Sequence, residues 1–243
     1  MDDLFGQYLL SYRNIRSVSQ HNAKRNKCMV IIESRDSFWL PLVIKNAIDK
    51  CPDFNLYVFS SDEIIKKLRL SIEGDFVAEN ISSLQLQHIK NYNLLLTDEV
   101  FWQRFPEEHV IIFQLDSIFL REPKVEEYTH DFLGAVCGNL LPHYEEETFI
   151  VNGGLSYRSK SAMIRACLEM KAKGYNREMA EDILFTDVLR KDGFRFPTIQ
   201  HCNDFSIESF GNVSTCIGVH GTDKYYLGKE TKDQLERMLV TIL

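Results

Sequence analysis

Apolar positions along this chain follow two rhythms. Cys28-Met-Val-Ile-Ile-Glu33, Asn55-Leu-Tyr-Val-Phe59 and His109-Val-Ile-Ile-Phe-Gln114 are short continuous apolar runs, the pattern of strands buried on both faces of a parallel sheet. Between them the spacing turns helical. Leu40, Val43, Ile44, Ala47 and Ile48 mark a helix over Phe38–Lys50 that stops at Cys51-Pro52, and Ile64–Leu70 follows a capping run at Ser60-Ser61-Asp62-Glu63. Tyr92–Phe105 reads as one amphipathic helix closed by Pro106, with a short strand before it at Leu84–Gln87. Farther on, the pattern predicts a strand at Asp131–Val136, a turn at Asn152-Gly153-Gly154, and helices over Lys160–Ala172, Glu178–Lys191 and Thr231–Leu243. The alternation predicts an α/β fold, an α/β/α sandwich with a mostly parallel central sheet flanked by helices. Residues 1–26 are polar and weakly patterned, so they are expected to form a helix or arm packed on a single domain spanning 27–243.

Composition narrows the class. A chain of 243 residues, 44% hydrophobic and 26% charged, has the profile of a globular protein large enough to hold a core without metal or disulfide staples. Its net charge of −7 argues against a protein that coats nucleic acid or anionic lipid through bulk charge. The apolar runs are far shorter than the ~20 residues a membrane-spanning helix needs. The N-terminus lacks a basic, then apolar, secretory signal, and the six cysteines form no CxxC or zinc spacing, so a cytoplasmic protein with reduced thiols is expected.

Open α/β sheets bind ligands at the carboxyl ends of their strands. There this chain gathers Glu33 and Arg35, Ser60 and Asp62, and Gln114 with Asp116. No GxGxxG or GxxxxGK[ST] follows any strand, which leaves a dinucleotide or P-loop site unsupported. Asp116, just past a buried strand, suits a hard divalent cation that would neutralise a diphosphate; a turn or helix cap is the plainer reading of a lone Asp. Asn152-Gly153-Gly154 reads either as a tight turn or as a place where backbone approaches a ligand closely. Arg158, on its flank, is read as a phosphate partner or a surface residue. Glu181 and Asp182 at a helix start either complement the helix dipole or supply a general base, and only one of two adjacent residues is expected to face the site while the other braces it. Tyr92 is placed either to stack on a nucleobase or to fill the core. His143 with Glu145, Glu146 and Glu147 reads as a solvated acidic loop, and His201, Asp204 and Glu208 precede His220, with Glu208 suited to orient a ligand.

Val30-Ile-Ile-Glu-Ser-Arg35, Tyr92-Asn93, Phe113-Gln-Leu-Asp-Ser117, Asp131-Phe-Leu-Gly-Ala135, Val151-Asn-Gly-Gly-Leu-Ser-Tyr-Arg158, Glu181-Asp182, Phe205-Ser-Ile-Glu208 and Gly218-Val-His220 together resemble a largely uncharacterised group of glycosyltransferases of the GT-A fold. The resemblance spans roughly residues 28 to 226. It implies transfer of a sugar from a nucleotide-sugar donor, a UDP-sugar above others, to a glycan or glycoconjugate acceptor. It also implies that Gln114-Leu115-Asp116 stands where such enzymes carry Asp-x-Asp, with the first acid missing. Asp116 and His220 would then be ligands of Mn²⁺ or Mg²⁺, weakly or optionally bound. Glu33, Arg35, Ser60, Asp62, Tyr92, Gln114, Asp116, Ser117, Asn152, Gly153, Gly154 and Arg158 would line the donor site, and Asp182, with Glu181 beside it, would supply the base of an inverting reaction. Two rivals stand beside this expectation: an inactive sugar-nucleotide or glycan-binding module, favoured by Gln114, and a sugar-nucleotide nucleotidyltransferase, disfavoured by Glu-Ser-Arg-Asp-Ser after the first strand.

Overall fold

The computed structural model describes residues 3–81, 86, 88–137, 149–191, 193–221 and 228–242. Its strands are β1 (Val18–Ser19), β2 (Lys27–Ile32), β3 (Asn55–Ser60), β4 (Glu73–Gly74), β5 (Val77–Asn80), β6 (His109–Phe113), β7 (Ile118–Phe119), β8 (Phe132–Val136), β9 (Val151–Ser159), β10 (Ser206–Ile207) and β11 (Gly218–Val219). The helices are α1 (Asp3–Ser11), α2 (Leu40–Lys50), α3 (Asp62–Ser71), α4 (Ile89–Leu96), α5 (Glu99–Trp102), α6 (Lys160–Ala172), α7 (Glu181–Leu189), α8 (Ile199–Phe205) and α9 (Lys229–Ile242).

A six-stranded sheet in the order β5-β3-β2-β6-β9-β8 forms the centre. β5, β3, β2 and β6 pair in parallel, while β9 runs antiparallel to both of its neighbours. Alternate residues of each central strand enter opposite cores, which is why those strands had to be apolar at every position. Met29, Ile31, Leu56, Val58, Ile111 and Phe113 join one core with α1, α2 and α3. Cys28, Val30, Tyr57, Phe59, Val110 and Ile112 join the other with α4 to α7. The mostly parallel sheet between two helical layers is the α/β/α arrangement expected from the pattern.

The N-terminal segment is pinned to the domain by α2. Tyr8 and Tyr12 share a hydrogen bond of 3.1 Å and both accept from the Asn46 amide, whose two ends also hold the backbone of Phe119 at 3.0 and 2.8 Å. Asn46 thereby fixes β7, the strand directly after Asp116.

Two expectations change. The helix predicted over Tyr92–Phe105 starts earlier and is split into α4 and α5, because Thr97 turns its hydroxyl back to the Asn93 carbonyl at 2.7 Å and Asp98, in extended conformation, caps α5 through the Val100 N–H. Asn152-Gly153-Gly154 is not a turn; it lies inside β9. Val136 pairs with Val151 but Gly134 with Ser156, so β9 carries three extra residues there, a wide irregularity of the kind found beside functional sites. The acidic loop of His143 and Glu145–Glu147 lies outside the described residues, as do Leu84, Gln85 and Gln87 of the strand expected at Leu84–Gln87, of which Leu86 is described and lies in a turn packed against the core. Among the described residues no helix is long and apolar enough to cross a membrane.

Candidate functional site

A second, three-stranded sheet, β10-β11-β7, sets the centre of the site. β11 is antiparallel to β7, with Val219 opposite Ile118, so His220, leaving β11, comes beside Asp116 and Ser117, which lead into β7. β10 is parallel to β11, with Ile207 opposite Val219, so Glu208 leaves β10 at the same level as His220. Three strands of two residues each thus gather side chains from positions 116, 208 and 220. The His220 N–H donates to the Ile207 carbonyl at 2.9 Å and fixes the backbone.

His220 is buried, with Nε2 at 3.3 Å from both Asp116 Oδ1 and Gln114 Oε1, and Nδ1 at 3.8 Å from Glu208 Oε1. The Gln114 amide also donates to the Tyr92 hydroxyl at 3.2 Å. Burial, then the neighbouring Glu181 carboxylate, hold that phenol protonated far above its ordinary range. Ser117 is fully buried; it accepts from the Gln114 N–H and donates to the Gly154 carbonyl, both at 3.1 Å, tying the Asp116 loop to β9. Among the described residues no three His, Cys, Asp or Glu side chains group as a metal cage. The donors that do converge, one carboxylate, one amide oxygen and one imidazole nitrogen, form a mixed O/N set compatible with Mn²⁺.

Gly153 and Gly154 explain themselves by what they touch. A Cβ on Gly154 would stand 2.0 Å from His220 Nε2, and one on Gly153 2.2 Å from Glu181 Oε1 and 2.5 Å from Arg158 Nη2. Neither glycine has positive φ, so space, not backbone conformation, requires them. Asn152 holds the segment through its side-chain oxygen, which accepts from the Gly154 N–H at 2.7 Å.

Beyond Gly153, Arg158 is completely buried, which corrects both the surface and the phosphate-partner readings. Its guanidinium meets the Glu181 carboxylate twice, at 2.7 and 2.9 Å, donates to Ser156 Oγ and the Gly153 carbonyl, and lies over the rings of Phe132 and Phe185. Burial opposes its charge, and Glu181 outweighs that cost and raises its pKa. The alternation Leu155, Ser156, Tyr157, Arg158 was the sequence signal for a strand that the adjacent glycines obscured.

Glu181 therefore braces, while Asp182 beside it accepts hydrogen bonds from the Ile183 and Gly153 N–H groups. Burial, then the Glu181 charge, push the Asp182 carboxyl up to about 6, against the pull of those two N–H groups and Arg158. A carboxyl poised there is suited to exchange a proton near neutrality.

Glu33 is buried and bound by the Arg35 backbone and side chain at 2.7 to 2.9 Å, leaving the Arg35 side chain 71% exposed. Ser60 is fully buried and spends its hydroxyl on the Glu33 carbonyl, and exposed Asp62 sits in the first turn of α3, whose cap is Ser61. His201 and Asp204 do not approach His220. They line a separate groove of about 480 Å³ beside the start of β8, where His201 packs on His130 and completes the α8 cap with Thr198.

The sheet order and the layers on both of its faces define a GT-A fold, and solved structures agree. The chain is similar to mouse xyloside xylosyltransferase 1 in its apo form, with a TM-score of 0.55 and 10% identity over 80% of this chain and 97% of that one. It is similar also to the apo-form glycosyltransferase GlyE of Streptococcus pneumoniae TIGR4, with a TM-score of 0.52 and 11% identity over 88% of this chain and 60% of that one. Residues 75–220 match the family described as a protein of unknown function, DUF5672, and the chain belongs to that family. The matched span ends on His220 and includes Asp116, Gly153, Gly154, Asp182 and Glu208. No curated protein matches the sequence.

Proposed function

We propose that the protein is a nucleotide-sugar-dependent glycosyltransferase that moves a sugar from a UDP-sugar to a hydroxyl of a glycan or glycoconjugate, with inversion. The observation that carries this reading is the convergence of Asp116, Gln114 and His220 on one side of Gly153-Gly154 and of Asp182 on the other. The likeness of the fold to a xylosyltransferase and to GlyE supports it.

On this reading Asp116, His220 and the Gln114 carbonyl oxygen hold a divalent cation, Mn²⁺ or Mg²⁺. The bound ion supplies Lewis-acid stabilisation of the departing diphosphate. With one carboxylate in place of two, the set binds the ion less tightly than an Asp-x-Asp pair would. Glu33 and Arg35, at the end of β2, lie where a nucleoside would rest. Asp182 takes the proton from the acceptor hydroxyl as its oxygen bonds to the anomeric carbon. The bond from that carbon to the diphosphate oxygen breaks, and its electron pair leaves with the nucleoside diphosphate. Arg158 and Glu181 do no chemistry here; their pair keeps Asp182 and Gly153 in place.

A thermal-shift panel of UDP, GDP and dTDP and their sugars, with and without Mn²⁺, tests the proposal. UDP should stabilise the chain in the presence of Mn²⁺ by about 2.7 kcal/mol at a hundredfold excess over its dissociation constant, and folded Asp116→Ala should lose that stabilisation and all transfer. Wild-type activity in Asp116→Ala, or no shift with any nucleotide, overturns it. Nucleotide binding without donor hydrolysis or transfer would instead fit the binding-module reading that Gln114 raises.

A further inference from the structure

Glu208 has no place yet in this scheme, although it is one of three acidic or basic side chains that the small sheet aligns. Its carboxylate is buried, with its Oε1 3.8 Å from His220 Nδ1. That nitrogen is itself buried and makes no hydrogen bond among the described residues. The opposite nitrogen, Nε2, faces Asp116 and Gln114.

From this arrangement we infer that Glu208 is a positioning residue: it receives the Nδ1–H of His220 and so presents the Nε2 lone pair, together with Asp116, to a divalent cation. The inference rests on the reading of Asp116 and His220 as cation ligands. A neutral imidazole carries its proton on one nitrogen only, and a cation can bind only the other. Two oxygens beside Nε2 favour a proton there, which would block the lone pair. A carboxylate behind Nδ1 favours the opposite tautomer, the arrangement in which second-shell acids orient metal-binding histidines. The gap of 3.8 Å is longer than a made hydrogen bond, so the contact closes when Nδ1 carries the proton and Nε2 is engaged.

Gln114 gives Glu208 added weight. Where an acid at 114 would put a second negative charge directly on the cation, this chain has a neutral amide. Glu208 returns that charge from one imidazole away. It also explains why an acid is buried beside a histidine at the end of a two-residue strand, where packing alone would favour an apolar side chain.

The test is Mn²⁺ binding to the full chain, without nucleotide, followed by the paramagnetic resonance of the free ion. Glu208→Gln should weaken Mn²⁺ binding 10- to 100-fold, the loss typical for a second-shell partner, while the melting temperature of the metal-free protein and its metal-free affinity for UDP stay as in wild type. A residue that only supports the fold would move the melting temperature and not the Mn²⁺ affinity alone. Equal Mn²⁺ affinity in wild type and Glu208→Gln overturns the inference and leaves the cation site standing. Absence of Mn²⁺ binding in wild type overturns the cation site and the inference with it. If Glu208→Gln does not fold, Glu208→Asp serves, since it keeps the charge but withdraws it by one methylene; an affinity equal to wild type would again overturn the inference.

Discussion

Gly153 and Gly154 stand between two polar clusters built to opposite specifications, one fully buried and one partly open. On the Gly153 side, Arg158 and Glu181 meet in a two-point contact at 2.7 and 2.9 Å, and the remaining guanidinium donors reach Ser156 and the Gly153 carbonyl. On the Gly154 side, His220 stands 3.3 Å from Asp116 and Gln114 through one ring nitrogen and 3.8 Å from Glu208 through the other, at or beyond the long end of hydrogen-bond range. A saturated buried pair holds a fold together, because removing either partner strands the other charge. A cluster whose contacts lie at the long end of hydrogen-bond range is held together less tightly and costs less to disturb. The difference marks Arg158 and Glu181 as framework and, on the proposed function, leaves the second cluster as the place where a ligand binds.

The contrast breaks first if Arg158 proves dispensable. Arg158→Met should cost about 3–5 kcal/mol in urea unfolding, whereas Asp116→Asn should leave stability within about 1 kcal/mol of wild type. Equal costs would erase the distinction.

Asp182 borders both clusters, and two measurements locate it. Asp182→Asn should lower turnover by ~10²-fold or more with donor affinity unchanged, because the amide keeps the shape and cannot take the proton; wild-type turnover should rise with pH through about 6 and level off above it. A large loss in Glu181→Gln, with a stable fold, and none in Asp182→Asn would transfer the base to Glu181. Stability should run the other way. The folded-state pKa of Asp182 lies above its unfolded value, so the folded wild type binds the extra proton and loses stability as pH rises from about 4 to about 6. Asp182→Asn carries no such cost, and it should exceed wild type by about 3 kcal/mol at pH 7.5 and by little at pH 4. A gap independent of pH would show that the carboxyl is not poised as described.

The smallest effects sharpen the boundary itself. Gly153→Ala drives a methyl into Glu181 and Arg158 and should cost about 1–3 kcal/mol of stability, read as a lowered unfolding midpoint. Gly154→Ala drives one into His220 and should weaken Mn²⁺ binding about tenfold. Exchanged phenotypes would mean that the two sides are misassigned.

The sequence made the framework legible wherever burial left no choice. β2, β3 and β6 must be apolar at every position because both faces of the sheet are covered, and α6 runs from Lys160 to Ala172 as its spacing requires. The split at Thr97-Asp98 was hidden, since both residues fit a continuing helix until their side chains choose backbone partners. Asn152-Gly153-Gly154 misled for a different reason. Glycines that bend a chain and glycines that make room look alike in a sequence, and the groups needing the room, Glu181 and His220, lie 28 and 66 residues downstream. The burial of Arg158 was illegible on the same ground, because a charged residue can be buried only with its counter-charge, and Glu181 belongs to another element. Asp116 is legible as a cation ligand from its place just past a buried strand, and His220 only through family resemblance; no local rule joins them, and the pairing of β7 with β11 does.

The widened stretch of β9 has one more consequence. Pairing with β6 ends at Leu155, so the peptide groups of Gly153 and Gly154 are held instead by Ser117, Asn152, Ser156, Arg158 and Asp182, nearly every one a member or neighbour of the two clusters. Two amide hydrogens therefore keep a running record of the chemistry around them. The Gly153 amide is expected to exchange faster once Asp182 is protonated and its hold weakens, and the Gly154 amide to stay protected as long as Asn152 accepts from it. Deuterium uptake at these two positions would read the Asp182 side and the His220 side separately, in one unlabelled protein and without a functional assay.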